Sequence, residues 1–248
     1  MAEPRATLGG TVHPALDGID LVVFDKDGTL VDFHAMWSGW MVHLAADLET
    51  LTGRAVTAAL YGALGFDPGS GRALPGRPLA ATPMADLRVL AHEALVRAGV
   101  PVEGADAALH AAWTGPDPVA LARPLADLPA LFGTLRATGR RIAVVTTDDR
   151  EPTERTLAAL GVAHLVDAVV AADDGLAVKP APDAVLRVSG LLDVASHRIA
   201  VVGDALADVA MARSAGARAI AVTSGVSAAA DLAATADAVV PSIGVLAT

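Results

Sequence analysis

Short apolar runs recur along this chain, and almost every one follows a stretch with helical texture. They are Leu21–Phe24, Arg141–Thr146, Ala168–Ala171, Arg198–Val202, Ala217–Val222 and Ala238–Val240. Their apolar residues are continuous rather than alternating with polar ones. Runs of this length and kind read as strands buried on both faces, the signature of a parallel sheet. Helices are predicted between them at Leu128–Thr138, Thr153–Leu160, Pro182–Leu191, Ala205–Ala215 and Ala228–Ala234. Strand and helix in strict alternation define an α/β chain, and the expected core is a doubly wound parallel sheet.

One long interval breaks the alternation. From His34 to Ala120 the pattern is helical and no strand run is expected. Met36, Trp37, Trp40, Met41, Leu44 and Leu48 fall at the spacing of one helix face. A second helix is predicted over Ala55–Leu64, followed by a segment crowded with Gly and Pro. Thr82 is placed to cap a third helix, with Pro83 at its first position and Gly99 at its end. A fourth is predicted over Gly104–Trp113, and Gly115–Pro118 closes the interval. The expected organisation is a loose arm over 1–18, a core made of 19–33 and 121–248, and a helical insertion over 34–120. Trp37, Trp40 and Trp113 are expected inside the insertion.

Bulk properties narrow the function. The formal net charge of −10 argues against a nucleic-acid partner, whose phosphates need a basic face. The chain has no cysteine, so neither a disulfide framework nor thiolate chemistry is available. No apolar stretch is long enough to span a bilayer, and the start of the chain lacks the apolar segment of a signal peptide. These readings together suggest a cytoplasmic enzyme.

The candidate chemistry lies at the ends of the strand runs. Leu21–Phe24 leads into Asp25-Lys26-Asp27-Gly28-Thr29. Paired carboxylates on a tight loop can hold a divalent cation and present one oxygen as a nucleophile. Ile142–Val145 ends in Thr146-Thr147, the run around Ala168 is followed by Lys179-Pro180, and Ile199–Val202 ends in Gly203-Asp204 with Asp208 four residues on. In open parallel sheets, ligands bind beyond such strand ends, so one pocket can gather these residues.

This ordered set resembles the haloacid dehalogenase superfamily, whose four motifs are an Asp-x-Asp-Gly-Thr loop, a Ser or Thr after a strand, a Lys, and a Gly-Asp-x-x-x-Asp loop. The likeness runs from about Asp20 to Val240 and is closest to the phosphoglycolate phosphatase-like branch. It implies a Rossmann-like core with a helical cap inserted after the first motif. It also implies a magnesium-dependent phosphatase acting on a small phosphate monoester through an aspartyl-phosphate. Asp25 would be the nucleophile, and Asp27 the general acid and then base. Thr146 and Lys179 would clamp the phosphoryl group. Asp25, Asp27 through its backbone carbonyl, and Asp204 would hold magnesium, with Asp208 in support. A sugar-phosphate mutase shares these residues, and a catalytically silent binding module is the remaining alternative. Asp27 disfavours dehalogenation, since dehalogenating members lack that second aspartate. An insertion without lysine disfavours phosphonate cleavage through a Schiff base.

Other residues carry expectations of their own. Lys26, aimed away from Asp25 and Asp27 by strand alternation, is expected in a structural salt bridge. Asp148 and Asp149 are expected to cap the helix that follows them. Asp173 and Asp174 are placed either to tether Lys179 or simply to face solvent, and Asp183 to sit in the first turn of its helix. His34, Arg72 and Arg77 are candidates for gripping the remainder of the substrate. The partner is a small phosphorylated metabolite, with no nucleic acid or membrane, and the protein is a monomer or homodimer.

Overall fold

A computed structural model describes residues 11–247. In chain order its elements begin with β1 (Leu21–Phe24). Helices α1 (Phe33–Thr52) and α2 (Thr57–Leu64) follow, then the short strands β2 (Phe66–Asp67) and β3 (Arg72–Ala73). Next come α3 (Pro78–Ala81), α4 (Met84–Arg97), α5 (Val102–Ala112) and α6 (Leu128–Ala137). The alternating part runs β4 (Arg141–Val145), α7 (Arg150–Ala159), β5 (Ala168–Val170), α8 (Asp183–Leu192) and β6 (Ile199–Gly203). It ends with α9 (Leu206–Ser214), β7 (Arg218–Val222), α10 (Ala229–Ala233) and β8 (Ala238–Val240).

The apolar runs become one parallel sheet in the order β5-β4-β1-β6-β7-β8. Side chains alternate across it. Val22, Phe24, Ile142, Val144, Ala200 and Val202 face α6 and α7, where the Phe24 and Phe132 rings stack at 5.2 Å. Leu21, Val23, Ala143, Val145, Ile199 and Val201 face α8, α9 and α10. Both faces are therefore buried, which is why the runs show no polar alternation. From β1 the chain builds outward first through β4 and β5, then to the other side through β6, β7 and β8. The order reverses between β1 and β6, and a crevice opens beyond their carboxyl ends at such a point.

The helices between β1 and β4 have an apolar core of their own. It contains the six α1 residues at helical spacing together with Leu60, Leu64, Leu87, Leu95 and Leu109. Trp37, Trp40 and Trp113 pack edge to face within it, and the Trp40 indole donates to the Thr114 carbonyl at 2.6 Å. The chain enters and leaves this block along adjacent paths. Asp32 N–H donates to Arg123 O at 2.8 Å, and Leu125 N–H to Leu30 O at 3.0 Å. Asp32 then caps α1, accepting from the His34 and Ala35 N–H groups.

Several expectations need correction. The arm expected to stay loose to Gly18 is loose in no described part. Val12 bridges Ala247, and Leu16 is fully buried against the sheet helices; residues 1–10 lie outside the described residues. The insertion does contain strands, the two-residue hairpin β2–β3, too short to carry a periodic signal. Thr82 caps nothing: it ends α3, and Pro83 precedes α4 without a side-chain cap. Asp183 does open α8. Among the described residues no helix is long and apolar enough to cross a membrane.

Candidate active site

The loop after β1 is built around its own backbone. Asp25 N–H continues the sheet by donating to Val202 O at 2.9 Å. Lys26 O then accepts from Leu30 and Val31, which folds residues 26–31 into a tight turn over the strand ends. Gly28 has φ +92°, and a Cβ there would stand 2.6 Å from the Asp204 carboxylate. Glycine is required on both counts. The loop after β6 meets the same constraint. A Cβ at Gly203 would lie 2.3 Å from Asp208, and in the loop after β7 one at Gly225 would lie 1.9 Å from Asp204 Oδ2.

These close approaches gather the charges. Asp25, Asp204 and Asp208 are buried and each offers a carboxylate oxygen, all within 4.8 Å of one another. Lys179 Nζ bridges two of them, 2.6 Å from Asp25 Oδ1 and 2.7 Å from Asp208 Oδ1. Asp204 accepts from Val226 N–H at 2.8 Å and from the Thr29 hydroxyl at 3.4 Å. Asp208 accepts from Ala205 N–H at 3.1 Å.

Three buried carboxylates thus face one ammonium. Burial pushes the Asp25 carboxyl up to about 7, against the pull of Lys179. Burial and the neighbouring Asp25 and Asp208 charges push Asp204 well above the usual carboxylate range. Burial disfavours the Lys179 cation, but Asp208 and Asp25 outweigh it and hold the ammonium charged. A cluster this short of positive charge, offering only oxygen donors, fits a hard divalent cation such as magnesium.

Asp27 stands beside the cluster with a different partner. Its Oδ2 is 2.8 Å from Lys26 Nζ, while its Oδ1 is buried with no hydrogen-bond partner. Lys26 is fully buried and also lies 3.0 Å from Asp148 Oδ2. The salt bridge expected for Lys26 exists, but alternation misassigned its direction. The chain leaves the strand at Asp25 and turns, so Lys26 pairs with Asp27 itself. Asp148 is correspondingly a charge partner rather than a helix cap. Asp149 occupies the N-cap position of α7 without a side-chain cap bond.

Thr146 lies at the end of β4, buried, with its hydroxyl oxygen accepting from Asp148 N–H at 3.1 Å. Its neighbour Thr147, rather than Thr146, lines the cavity that holds Asp25, Asp27, Lys179 and Asp204. Asp173 and Asp174 do not tether Lys179. Asp174 grips the Arg150 guanidinium and Asp173 accepts from Arg150 N–H.

The far wall of the cavity comes from the helical block, with Phe33, Trp37, Leu79, Met84 and Leu87 prominent. His34, Arg72 and Arg77 are not in its lining. His34 lies within 3.4 Å of the Ser38 hydroxyl on its own helix, Arg72 is exposed on β3, and the Arg77 guanidinium donates to Gly62 O. Sequence reasoning missed Thr147, the Lys26–Asp148 contact, the Ser224–Val226 loop and the wall. The loop carried a signal, a Ser-Gly pair just past a strand run. The wall carried none, since an apolar helix face looks the same whether it meets a core or a cavity.

Comparison with known proteins agrees with this geometry. Residues 19–216 match the family described as haloacid dehalogenase-like hydrolase, and the chain belongs to that family. A phosphoglycolate phosphatase of Rhodospirillum rubrum is 36% identical over 101 residues, 41% of this chain and 42% of that protein. Matched segments cover less than half the length of each curated relative. Among solved structures, a predicted phosphoglycolate phosphatase from Haemophilus somnus superimposes with a TM-score of 0.60 at 17% identity, covering 92% of this chain and 96% of its own. A predicted β-phosphoglucomutase from Thermotoga maritima gives 0.58 at 18%, covering 91% and 95%. At such identities the likeness is one of fold.

Proposed function

We propose that this chain is a magnesium-dependent phosphatase that hydrolyses a small phosphate monoester through an aspartyl-phosphate on Asp25. The observation that carries the reading is the meeting of Asp25, Lys179, Asp204 and Asp208 beyond the strand ends. Asp25, the Asp27 backbone carbonyl and Asp204 would hold the ion, with Asp208 beside them. Magnesium, when bound, supplies positive charge that offsets repulsion between carboxylate and phosphate.

Lys179 holds Asp25 Oδ1, which leaves the other oxygen to attack phosphorus in line. That O–P bond forms as the bond to the leaving alkoxide breaks. Asp27 gives its proton to the alkoxide. Asp27 then takes a proton from water, whose oxygen attacks the phosphorus and releases inorganic phosphate, restoring Asp25. Lys179 and the hydroxyl of Thr147, which lines the cavity, steady the phosphoryl oxygens, while Thr146 holds the loop beneath it through Asp148 N–H. The helical block serves as the cap. Its apolar wall suits an organic remainder without strong charge, since Lys179 is the one cation among the described residues lining the cavity. The setting we infer is cytoplasmic, with the protein a monomer or homodimer.

The test is phosphate release from a broad panel of phosphorylated metabolites, with and without magnesium, using Asp25→Asn as the control. Turnover that needs both magnesium and Asp25 supports the reading, and silence across the panel ends it. The mutase reading draws on the Thermotoga likeness. Conversion of a hexose 1-phosphate to its 6-phosphate without net phosphate release would establish that activity instead.

A further inference from the structure

The chain has 18 basic residues, yet only two are lysines, Lys26 and Lys179. Lys179 belongs to the phosphoryl site. Lys26 is unused by the reaction as written, and it is the more deeply enclosed of the two. Its ammonium joins three segments. It lies 2.8 Å from Asp27 Oδ2 on its own loop, 3.0 Å from Asp148 Oδ2 on the loop after β4, and 4.0 Å from Met36 Sδ on α1. A buried cation is tolerated when carboxylates compensate it, and two do so here.

The contact is asymmetric in a useful way. A carboxylate has two equivalent oxygens, and a freely rotating one presents either. Lys26 takes Asp27 Oδ2 and leaves Oδ1 buried without a partner. Asp148 shares the ammonium, so Asp27 does not face an undivided positive charge. Both Asp27 and Asp148 line the cavity of the phosphoryl site.

We propose that Lys26 is a positioning residue: by fixing Oδ2 of Asp27 between the β1 and β4 loops, it presents Oδ1 to the oxygen of the leaving group. This rests on the reading of Asp27 as proton donor. It goes beyond that reading by naming the oxygen that acts and the side chain that aims it. The later water step, in which Asp27 is the base, is the same for every ester; in the first step, which kcat/KM reports, a misaimed acid harms only those substrates whose leaving group needs the proton. An alkyl alkoxide needs it, whereas 4-nitrophenolate leaves readily without it.

The experiment compares kcat/KM for an alkyl phosphate and for 4-nitrophenyl phosphate, using the full chain with magnesium. The variants are Lys26→Met, Lys26→Arg, Asp148→Asn and Asp27→Asn. Lys26→Met is expected to lose at least tenfold more activity on the alkyl ester than on the aryl ester, with Lys26→Arg recovering part of the difference. Asp148→Asn is expected to show the same bias, about threefold, and this variant carries the test if Lys26→Met does not fold. Equal losses on the two esters in both Lys26→Met and Asp148→Asn would overturn the proposal and leave Lys26 as a structural ion pair. If Asp27→Asn itself shows no bias between the esters, the proton-donor reading fails and the positioning role goes with it. Bias in Asp27→Asn without bias in the Lys26 and Asp148 variants overturns the positioning role alone.

Discussion

The two sides of the cavity are made on opposite plans. On the sheet side, every group is held by several others. Asp204 is met by Val226, Thr29 and the bare backbones of Gly28 and Gly225, and Lys179 is shared by Asp25 and Asp208. On the helical side, Phe33, Trp37, Leu79, Met84 and Leu87 offer an apolar surface with no ion pair among them. The first side sets each charged group against fixed partners, so few rearrangements are open to it. The second tolerates any side chain that fills the volume. Substitutions on the sheet side should therefore act on chemistry, and those on the helical side on which molecule is accepted.

Asp25→Asn is the most severe way to test this contrast. It keeps the shape of the side chain and removes the nucleophile. Turnover on every substrate should fall by about 10³ or more, while circular dichroism and the thermal midpoint show a folded protein. A variant that retained a tenth of the activity would place the reacting oxygen elsewhere.

Gly225→Ala asks whether the sheet side is as constrained as it looks. The added methyl carbon would fall 1.9 Å from Asp204 Oδ2, so the carboxylate must move. Titrating activity against magnesium should show a requirement raised roughly 10- to 100-fold, the usual scale for disturbing the support of a metal ligand. An unchanged magnesium curve would mean that Asp204 has slack, and the contrast between the two sides would weaken.

That contrast also explains what could be read in advance. The strands, their order of appearance and the four motifs were legible because each motif lies at or beyond the end of a short apolar run. Asp25, Lys179, Asp204 and Asp208 do converge. The partner of Lys26 was misread because alternation was carried one residue past the end of β1, where the chain had already turned. Thr82 was misread because capping chemistry was assigned without knowing where α3 would stop. Arg72 and Arg77 were chosen for charge on a Gly- and Pro-rich loop and His34 for its place at the entry to the insertion, whose contribution to the cavity is mainly apolar. Nothing local separates Trp37 on a cavity wall from Trp40 inside the core, since both lie on one helix face.

A gentler probe uses the strained charge of the sheet side. The Asp25 carboxyl is raised from 3.8 to about 7 by burial, so the folded metal-free protein keeps a proton that the unfolded chain gives up. Between those values, rising pH favours the unfolded state. A divalent cation must displace that proton to bind below about pH 7, and needs no such exchange above it. Saturating magnesium should therefore raise the thermal midpoint more at pH 8 than at pH 6, by roughly 5 °C at the higher pH. Equal shifts at both pH values, or none, would detach the ion from Asp25.

The smallest effect is expected on the helical side, and it is the one that defines that side. Met84 is half-buried and lines both the cavity and the wider groove beside it, which also touches Trp113 and Pro116. It makes no hydrogen bond or ion pair to the charged cluster, so Met84→Ala removes only apolar surface. Losing a few methylene-sized groups from such a wall shifts discrimination between substrates by about tenfold or less. The change should fall on KM and should differ between small and bulky esters, because only bulky ones reach the wall. The magnesium requirement and the loss caused by Asp25→Asn should stay as they are in the parent protein. If Met84→Ala instead lowered kcat equally for all esters, the helical block would be taking part in the chemistry, and the division between a reacting side and a selecting side would not hold.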